Sequence, residues 1–142
     1  AKAGENAKMS GLEDKPIRWI IDDVMAFVKR EIRRGKKYDA IIMDPPAYGH
    51  GPKKELWKIE KDLPELMSEC KKLLSSNPLF VIINGYASGY SAVAYKNNLI
   101  DLIGIEHLSN NQASIEFGEL VLETAAGKQL PAGIFARCRF EV

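Results

Sequence analysis

A mostly parallel α/β sheet that finishes in an antiparallel edge is the fold class this sequence predicts, and three observations predict it. Short apolar runs alternate with helical patterns through the first two thirds of the chain. Two of those runs, residues 38–43 (YDAIIM) and 79–83 (LFVII), are almost continuously apolar, the pattern of strands buried on both faces. The last third reads as strands near residues 103–108, 115–123 and 134–140, with a turn at Gly127-Lys128 that joins the last two as a hairpin. Strands followed by helices and then by a hairpin describe a layered sheet with an antiparallel edge strand.

Each earlier element has its own signal. Residues 1–9 read as the end of a helix stopped by Ser10-Gly11, and a helix with no cap before it suggests a chain that opens inside a domain. Residues 16–21 (PIRWII) read as a strand ended by Asp22-Asp23. Asp23 can cap the next helix, whose Val24, Phe27, Val28 and Ile32 share one face and which Gly35 stops. After residues 38–43, Asp44-Pro45-Pro46 breaks the strand and a loop with Gly49, Gly51 and Pro52 follows. Residues 55–74 read as a long amphipathic helix with Leu63, Leu66, Met67, Cys70, Leu73 and Leu74 inward, interrupted or restarted at Pro64. Asn84-Gly85 ends the strand at 79–83, and residues 88–97 form a helix.

Composition narrows the function class. The chain has 142 residues, with no internal repeat or low-complexity linker, so residues 1–142 are read as one domain. No apolar run approaches the roughly 20 residues of a membrane helix, and the opening residues lack a secretory signal's apolar core. Two cysteines, Cys70 and Cys138, and two histidines, His50 and His107, make neither a disulfide framework nor a metal cluster, so a reducing cytoplasm is the expected setting. Net charge is +1, which carries no global nucleic-acid signal. Basic residues gather locally at Lys29, Arg30, Arg33, Arg34, Lys36 and Lys37, and again at Lys53, Lys54, Lys58 and Lys61. Such runs are commonly solvated helix faces; the second draws notice because it follows Asp-Pro-Pro.

In α/β sheets ligands sit at the carboxyl ends of the strands, which directs attention to Asp22, Asp23, Asp44 and Asn84. Asp44-Pro45-Pro46-Ala47-Tyr48 is the most informative stretch. Two prolines fix the backbone and remove two N–H donors, leaving carbonyls free to face a ligand. Fixed acceptors beside a carboxylate suit an ammonium or an exocyclic amine, and Tyr48 offers a ring to stack on a base. A purely structural account makes the same stretch a rigid turn capped by Asp44. Asn84 is the weaker candidate, a plain turn explaining it equally well.

Strand, Asp-Pro-Pro, helix resembles motif IV of the class I, Rossmann-like S-adenosylmethionine-dependent methyltransferases. The ordered set IIDDVMAFVKR…YDAIIMDPPAYG resembles the large-subunit ribosomal RNA methyltransferases that include 5-methylcytosine and 7-methylguanine enzymes. The opening ENAKMSGL and the ending LPAGIFARCRF resemble that family's second helix and final hairpin, so the likeness covers nearly the whole chain. It implies S-adenosylmethionine as cofactor and RNA as substrate. It implies that Asp22 accepts a hydrogen bond from the adenine amino group, with Asp23 and Val24 beside the ring. Asp44 and Pro45 would face the methionine end of the cofactor and the methyl acceptor, and Tyr48 would flank the substrate. Without the family, both aspartates would simply cap the next helix.

Two departures qualify the resemblance. The first strands of such a fold and its glycine-rich cofactor loop are not in this sequence; Gly85-Tyr86-Ala87-Ser88-Gly89 follows the wrong strand and has the wrong spacing. The chain is therefore read as the C-terminal portion of one catalytic domain, with weak cofactor binding alone and self-association through an incomplete sheet. Second, cytosine-5 chemistry needs a cysteine nucleophile. The family's cytosine enzymes place it after the strand matched by residues 79–83, where this chain reads Asn84-Gly85-Tyr86. Methylation of a nitrogen, which needs no covalent intermediate, is expected instead. The competing readings are a nicotinamide-dependent oxidoreductase of doubly wound fold, for which no Gly-x-Gly-x-x-Gly is present, and a non-catalytic module that kept the fold.

Overall fold

The computed structural model describes residues 2–51, 56–86 and 89–141. In chain order the elements are α1 (Lys2–Met9), α2 (Val24–Arg33), β1 (Ala40–Met43), β2 (Tyr48–His50), β3 (Leu56–Lys58), α3 (Ile59–Lys71), β4 (Phe80–Gly85), α4 (Ala92–Ile103), α5 (Ile105–Ser109), β5 (Ala113–Glu123) and β6 (Gln129–Phe140). The expected sheet is present, with strand order β1-β4-β6-β5. Its parallel part is the β1–β4 pair, Ala40 beside Phe80 through Met43 beside Ile83. The antiparallel ending is the β5–β6 hairpin, whose β6 also pairs with β4.

Strand alternation sorts the side chains into two faces. One face carries the cross-strand rows Ile41–Val81–Cys138–Ile115 and Met43–Ile83–Ala136–Phe117. On it pack Leu63, Leu66, Met67 and Cys70 of α3 and Tyr95, Leu99 and Leu102 of α4, with Val28 of α2, to make the core. The opposite face carries Ile42, Ile82, Arg137 and Glu116, with no helix over it among the described residues. Ile42 is 67% exposed. The continuous apolar runs of β1 and β4 thus predict more cover than the described chain supplies, because α2, α3 and α4 all join the same core.

Helix ends follow their signals. Asp23 caps α2, accepting from the Ala26 N–H at 2.8 Å, and Ser91 caps α4, accepting from the Ala94 N–H at 3.2 Å. Gly35 closes α2 at φ +65°. There Lys36 N–H donates to the Glu31 carbonyl at 3.0 Å and Gly35 N–H to that of Ile32 at 2.9 Å, a paired reversal that a left-handed residue makes possible.

Five expectations are corrected. Residues 16–21 form no strand, because a strand needs a partner and no described strand pairs with them. The helix expected over residues 55–74 begins at Ile59. Before it β3 pairs with β2 as a small antiparallel hairpin, Gly49 opposite Trp57. Pro64 sits inside α3 without breaking it; the bond it forgoes is to Glu60, in the exposed first turn. The helix expected to end at residue 97 continues to Ile103, and residues 103–108 finish α4 and form α5 instead of a strand. Asn98 does not stop the helix because its side-chain amide donates to the Ala94 carbonyl (2.9 Å) and the Tyr90 hydroxyl (3.1 Å). Leu99, Leu102 and Ile103 then continue the buried stripe begun by Tyr95. Part of the expected helix over 88–97, at residue 88, lies outside the described residues.

A buried carboxylate ties α2 to the start of β1. Glu31 is only 1% exposed. It accepts from the Tyr38 hydroxyl at 2.7 Å and from Arg34 Nη1 at 3.0 Å. The Tyr38 hydrogen bond first, and Arg34 next, hold its pKa below the ordinary glutamate value. A depressed carboxylate stabilises the fold above its unfolded pKa, and that contribution is lost as pH falls through its folded value. Glu31→Gln is therefore expected to unfold at lower urea than the wild type at pH 7, with the gap closing as pH drops below about 4. Urea titrations at pH 7 and pH 3 measure it; an unchanged gap would remove the ionised carboxylate from the account.

Candidate functional site

Parallel pairing brings two strand ends to one place. With Met43 beside Ile83, the chain leaves β1 at Asp44-Pro45 where β4 reaches Asn84-Gly85. An ideal Cβ on Gly85 would lie 3.4 Å from the Pro45 carbonyl oxygen, so the two segments touch. β6 closes on the same spot from the other side. A bulge leaves Ala132 unpaired between Leu120–Gly133 and Val121–Pro131. Gly133, at φ +125°, passes so near that a Cβ there would lie 2.9 Å from the Gly85 carbonyl.

A cleft of 420 Å³ opens at this end of β1, a size within the range of small-molecule sites. Asp23 and Val24 line it from the start of α2, and Met43, Asp44, Pro45 and Pro46 from the end of β1. Gly49, His50 and Trp57 of the β2–β3 hairpin complete its wall. The hairpin is fastened to the turn: Trp57 Nε1 donates to the Pro46 carbonyl at 2.7 Å, and Ile59 N–H donates to that of Ala47 at 3.1 Å. Of the carbonyls the prolines were expected to free, Pro46's is thus taken. Pro45's receives no hydrogen bond from the described residues.

The structure gathers Asp23, Val24, Asp44 and Pro45 around one space and sets the other candidates at its margin. Asp22 precedes the wall and is held by Arg30, whose Nη2 donates to Oδ2 at 2.5 Å, while Asp23 N–H donates to Oδ1 at 2.9 Å. The Arg30 hydrogen bond is the main cause of its pKa lying below the ordinary value, so the group is an anion at neutral pH. Each oxygen keeps a lone pair for a further donor. Tyr48 is 57% exposed; its ring edge meets His50 at 5.2 Å between centroids, outside the cleft lining. Asn84 lies within β4, on the face away from the core, and borders no part of the cleft.

Sequence reading missed Gly49, His50 and Trp57, which were assigned to a loop and to the first turn of a helix. A signal for them exists: short runs either side of Gly51-Pro52 are a hairpin pattern. Of the basic cluster, Lys58 and Lys61 are exposed beside the hairpin, while Lys53 and Lys54 lie outside the described residues. Burial pushes the thiol pKa of Cys70 and of Cys138 up to about 11 in each case, which leaves both protonated and unreactive at neutral pH. A hollow of 590 Å³ among Ser75, Asn77, Leu102, His107 and Phe140 borders none of the candidate residues. No described helix is long and apolar enough to cross a membrane.

No protein-family model matches the chain. Over 96% of its length it superposes on a SAM-dependent methyltransferase from Agrobacterium tumefaciens, with a TM-score of 0.83 and 33% identity, while spanning 44% of that protein. A protein described as a methyltransferase and solved with S-adenosylhomocysteine aligns over 97% of the chain at TM-score 0.62 and 19% identity, a likeness of fold alone, and the chain spans 37% of it. In sequence, 87 residues, 61% of the chain, are 25% identical to ribosomal RNA large subunit methyltransferase K of Neisseria meningitidis serogroup B, and cover 25% of that protein. The chain has the fold of the class I, Rossmann-like S-adenosylmethionine-dependent methyltransferases, which it resembles, and in sequence it resembles a ribosomal RNA methyltransferase.

Proposed function

We propose that this chain is the C-terminal portion of a catalytic domain that transfers methyl from S-adenosylmethionine to a nitrogen of an RNA base, in ribosomal RNA. The observation that carries the reading is the cleft joining Asp23-Val24 to Asp44-Pro45 at the end of a parallel strand. The donor set fits the cofactor. Asp22, an anion with lone pairs to spare, would accept from the adenine amino group, and Asp23 and Val24 would border the ring. Asp44 and Pro45 would face the methionine end. When bound, the cofactor supplies an electrophilic methyl group.

The chain's own residues would align the acceptor. Asp44 and the open Pro45 carbonyl offer two acceptors on a backbone stiffened by two prolines, and such fixed dipoles stabilise positive charge growing on a methylated nitrogen. Tyr48, on the outer face of the hairpin, would flank the substrate. Cytosine-5 transfer is disfavoured because it needs a thiolate. No cysteine directly follows β4, where the sequence continues with Tyr86, and both cysteines are buried with raised pKa values. The RNA assignment rests on the ribosomal RNA methyltransferase relative and on the exposed Lys58 and Lys61 beside the hairpin.

Calorimetric titration of S-adenosylhomocysteine into the full-length protein tests the cofactor site. Asp22→Ala is expected to weaken binding about tenfold or more, the worth of a hydrogen bond to a charged group. Absence of binding by the wild type would defeat the methyltransferase reading. Asp44→Asn is expected to lower kcat on the order of 100-fold, comparable to losing one preorganised polar contact to the transition state; full retention of transfer would release Asp44 from that role. RNA affinity should fall with salt, and Lys58→Glu with Lys61→Glu should reduce the slope of log K against log salt by about 1.5, the value for two single-strand phosphates left without their lysines. An unchanged slope would move the RNA surface elsewhere.

A further inference from the structure

Among the described residues two buried side-chain oxygens lack a hydrogen-bond partner, Ser75 Oγ and Tyr95 Oη, and the second lies beside the turn that lines the cleft. Tyr95, in the first turn of α4, is 0% exposed. Among the described residues its hydroxyl has no hydrogen-bond partner. Its neighbour Tyr90, 5.1 Å away between ring centroids, has its own hydroxyl engaged by Asn98 at 3.1 Å. A phenylalanine would fill the space of the Tyr95 ring without burying an unpaired hydroxyl, so the oxygen itself calls for a reason.

Gly85 sharpens the point. A Cβ at that position would lie 2.6 Å from Tyr95 Oη but 3.7 Å from Cζ, so it is the oxygen, not the ring, that the missing side chain makes room for. The Pro45 carbonyl oxygen looks onto the same point from 3.4 Å. Asp44 is close enough for its negative charge to raise the Tyr95 pKa, behind the larger effect of burial and that of Tyr90. Among the described residues, a donor without an acceptor and a carbonyl without a donor therefore face the same point, 2.6 Å and 3.4 Å from it, beside the turn that lines the cleft.

We propose that Tyr95 is a positioning residue of the methyl-transfer cleft: when the cleft is loaded, its hydroxyl donates to the Pro45 carbonyl and fixes the direction in which that carbonyl and the Asp44 carboxylate meet the methyl acceptor. The carbonyl has a second lone pair, so it can take this hydrogen bond and still accept from the substrate. The assignment rests on the methyltransferase reading and adds to it a residue that never touches substrate.

Tyr95→Phe in the full-length protein tests it, by thermal unfolding with and without S-adenosylhomocysteine, calorimetry, and steady-state transfer. Without ligand the variant is expected to be at least as stable as the wild type, since the hydroxyl is unpaired there. With ligand, binding should be about tenfold weaker and kcat about tenfold lower, with KM for RNA unchanged. Equal binding and turnover in the two proteins would overturn the assignment while leaving the methyltransferase reading intact. Equal destabilisation with and without ligand would also overturn it, by showing a merely structural hydroxyl. A wild type that binds no S-adenosylhomocysteine would take down both. As a second check, Gly85→Ala should destabilise the wild-type background and be tolerated on the Tyr95→Phe background. Equal cost in both would show that the glycine does not make room for the oxygen.

Discussion

Four residues of β1 run alongside β4 in parallel, from Ala40 against Phe80 to Met43 against Ile83, and most of what surrounds the cleft depends on that register. Parallel strands leave the sheet at the same end, so the chain must turn away from both at one edge of the molecule. That geometry sets Pro45 against Gly85. A slip of one residue would turn Ile41 and Met43 away from α3 and α4 and bring Ile42 inward, so the core fixes the register that the cleft uses.

The cleft is stiff on one side and tethered on the other. Asp44-Pro45-Pro46 has little backbone freedom, because two of its residues have φ set by their rings. The β2–β3 hairpin is held to it by the Trp57 indole and the Ile59 amide, both donating to carbonyls of the turn. On the sheet side, Gly133 lets β6 come close to the Gly85 carbonyl of β4, and Gly85 leaves room for the Tyr95 hydroxyl. Small residues here serve proximity, and the prolines serve direction.

How far the sequence could be read followed from whether a signal was local. Apolar runs at residues 38–43 and 79–83, the Gly127 turn and the caps at Asp23 and Gly35 each carry their structure within a few residues, and each was legible. Asp23 and Asp44 could be chosen because strand ends in α/β sheets bear ligands, whereas Val24 and the role of Pro45 came from the resemblance to the methyltransferase motifs. Residues 16–21 looked like a strand because they are apolar and β-branched, yet pairing is a property of two segments and no described partner is beside them. Residues 103–108 misled for a related reason: Ile103 belongs to a helical stripe anchored at Tyr95, and Asn98, just past the expected helix end, finds its partners in Tyr90 and Ala94. Trp57 and Tyr95 were invisible as site residues because their importance lies in what they reach across the fold.

The indole of Trp57 gives the cleft a property beyond its chemistry. The chain has two tryptophans. Trp19 lies exposed on the irregular segment before α2, and Trp57 is half-buried with its N–H committed to the Pro46 carbonyl. An indole's emission follows the polarity around its ring and the fate of its N–H. The turn that would grip a ligand is therefore coupled to a chromophore already in the wall, and the cleft carries its own optical reporter, with Trp19 as the solvent-facing reference.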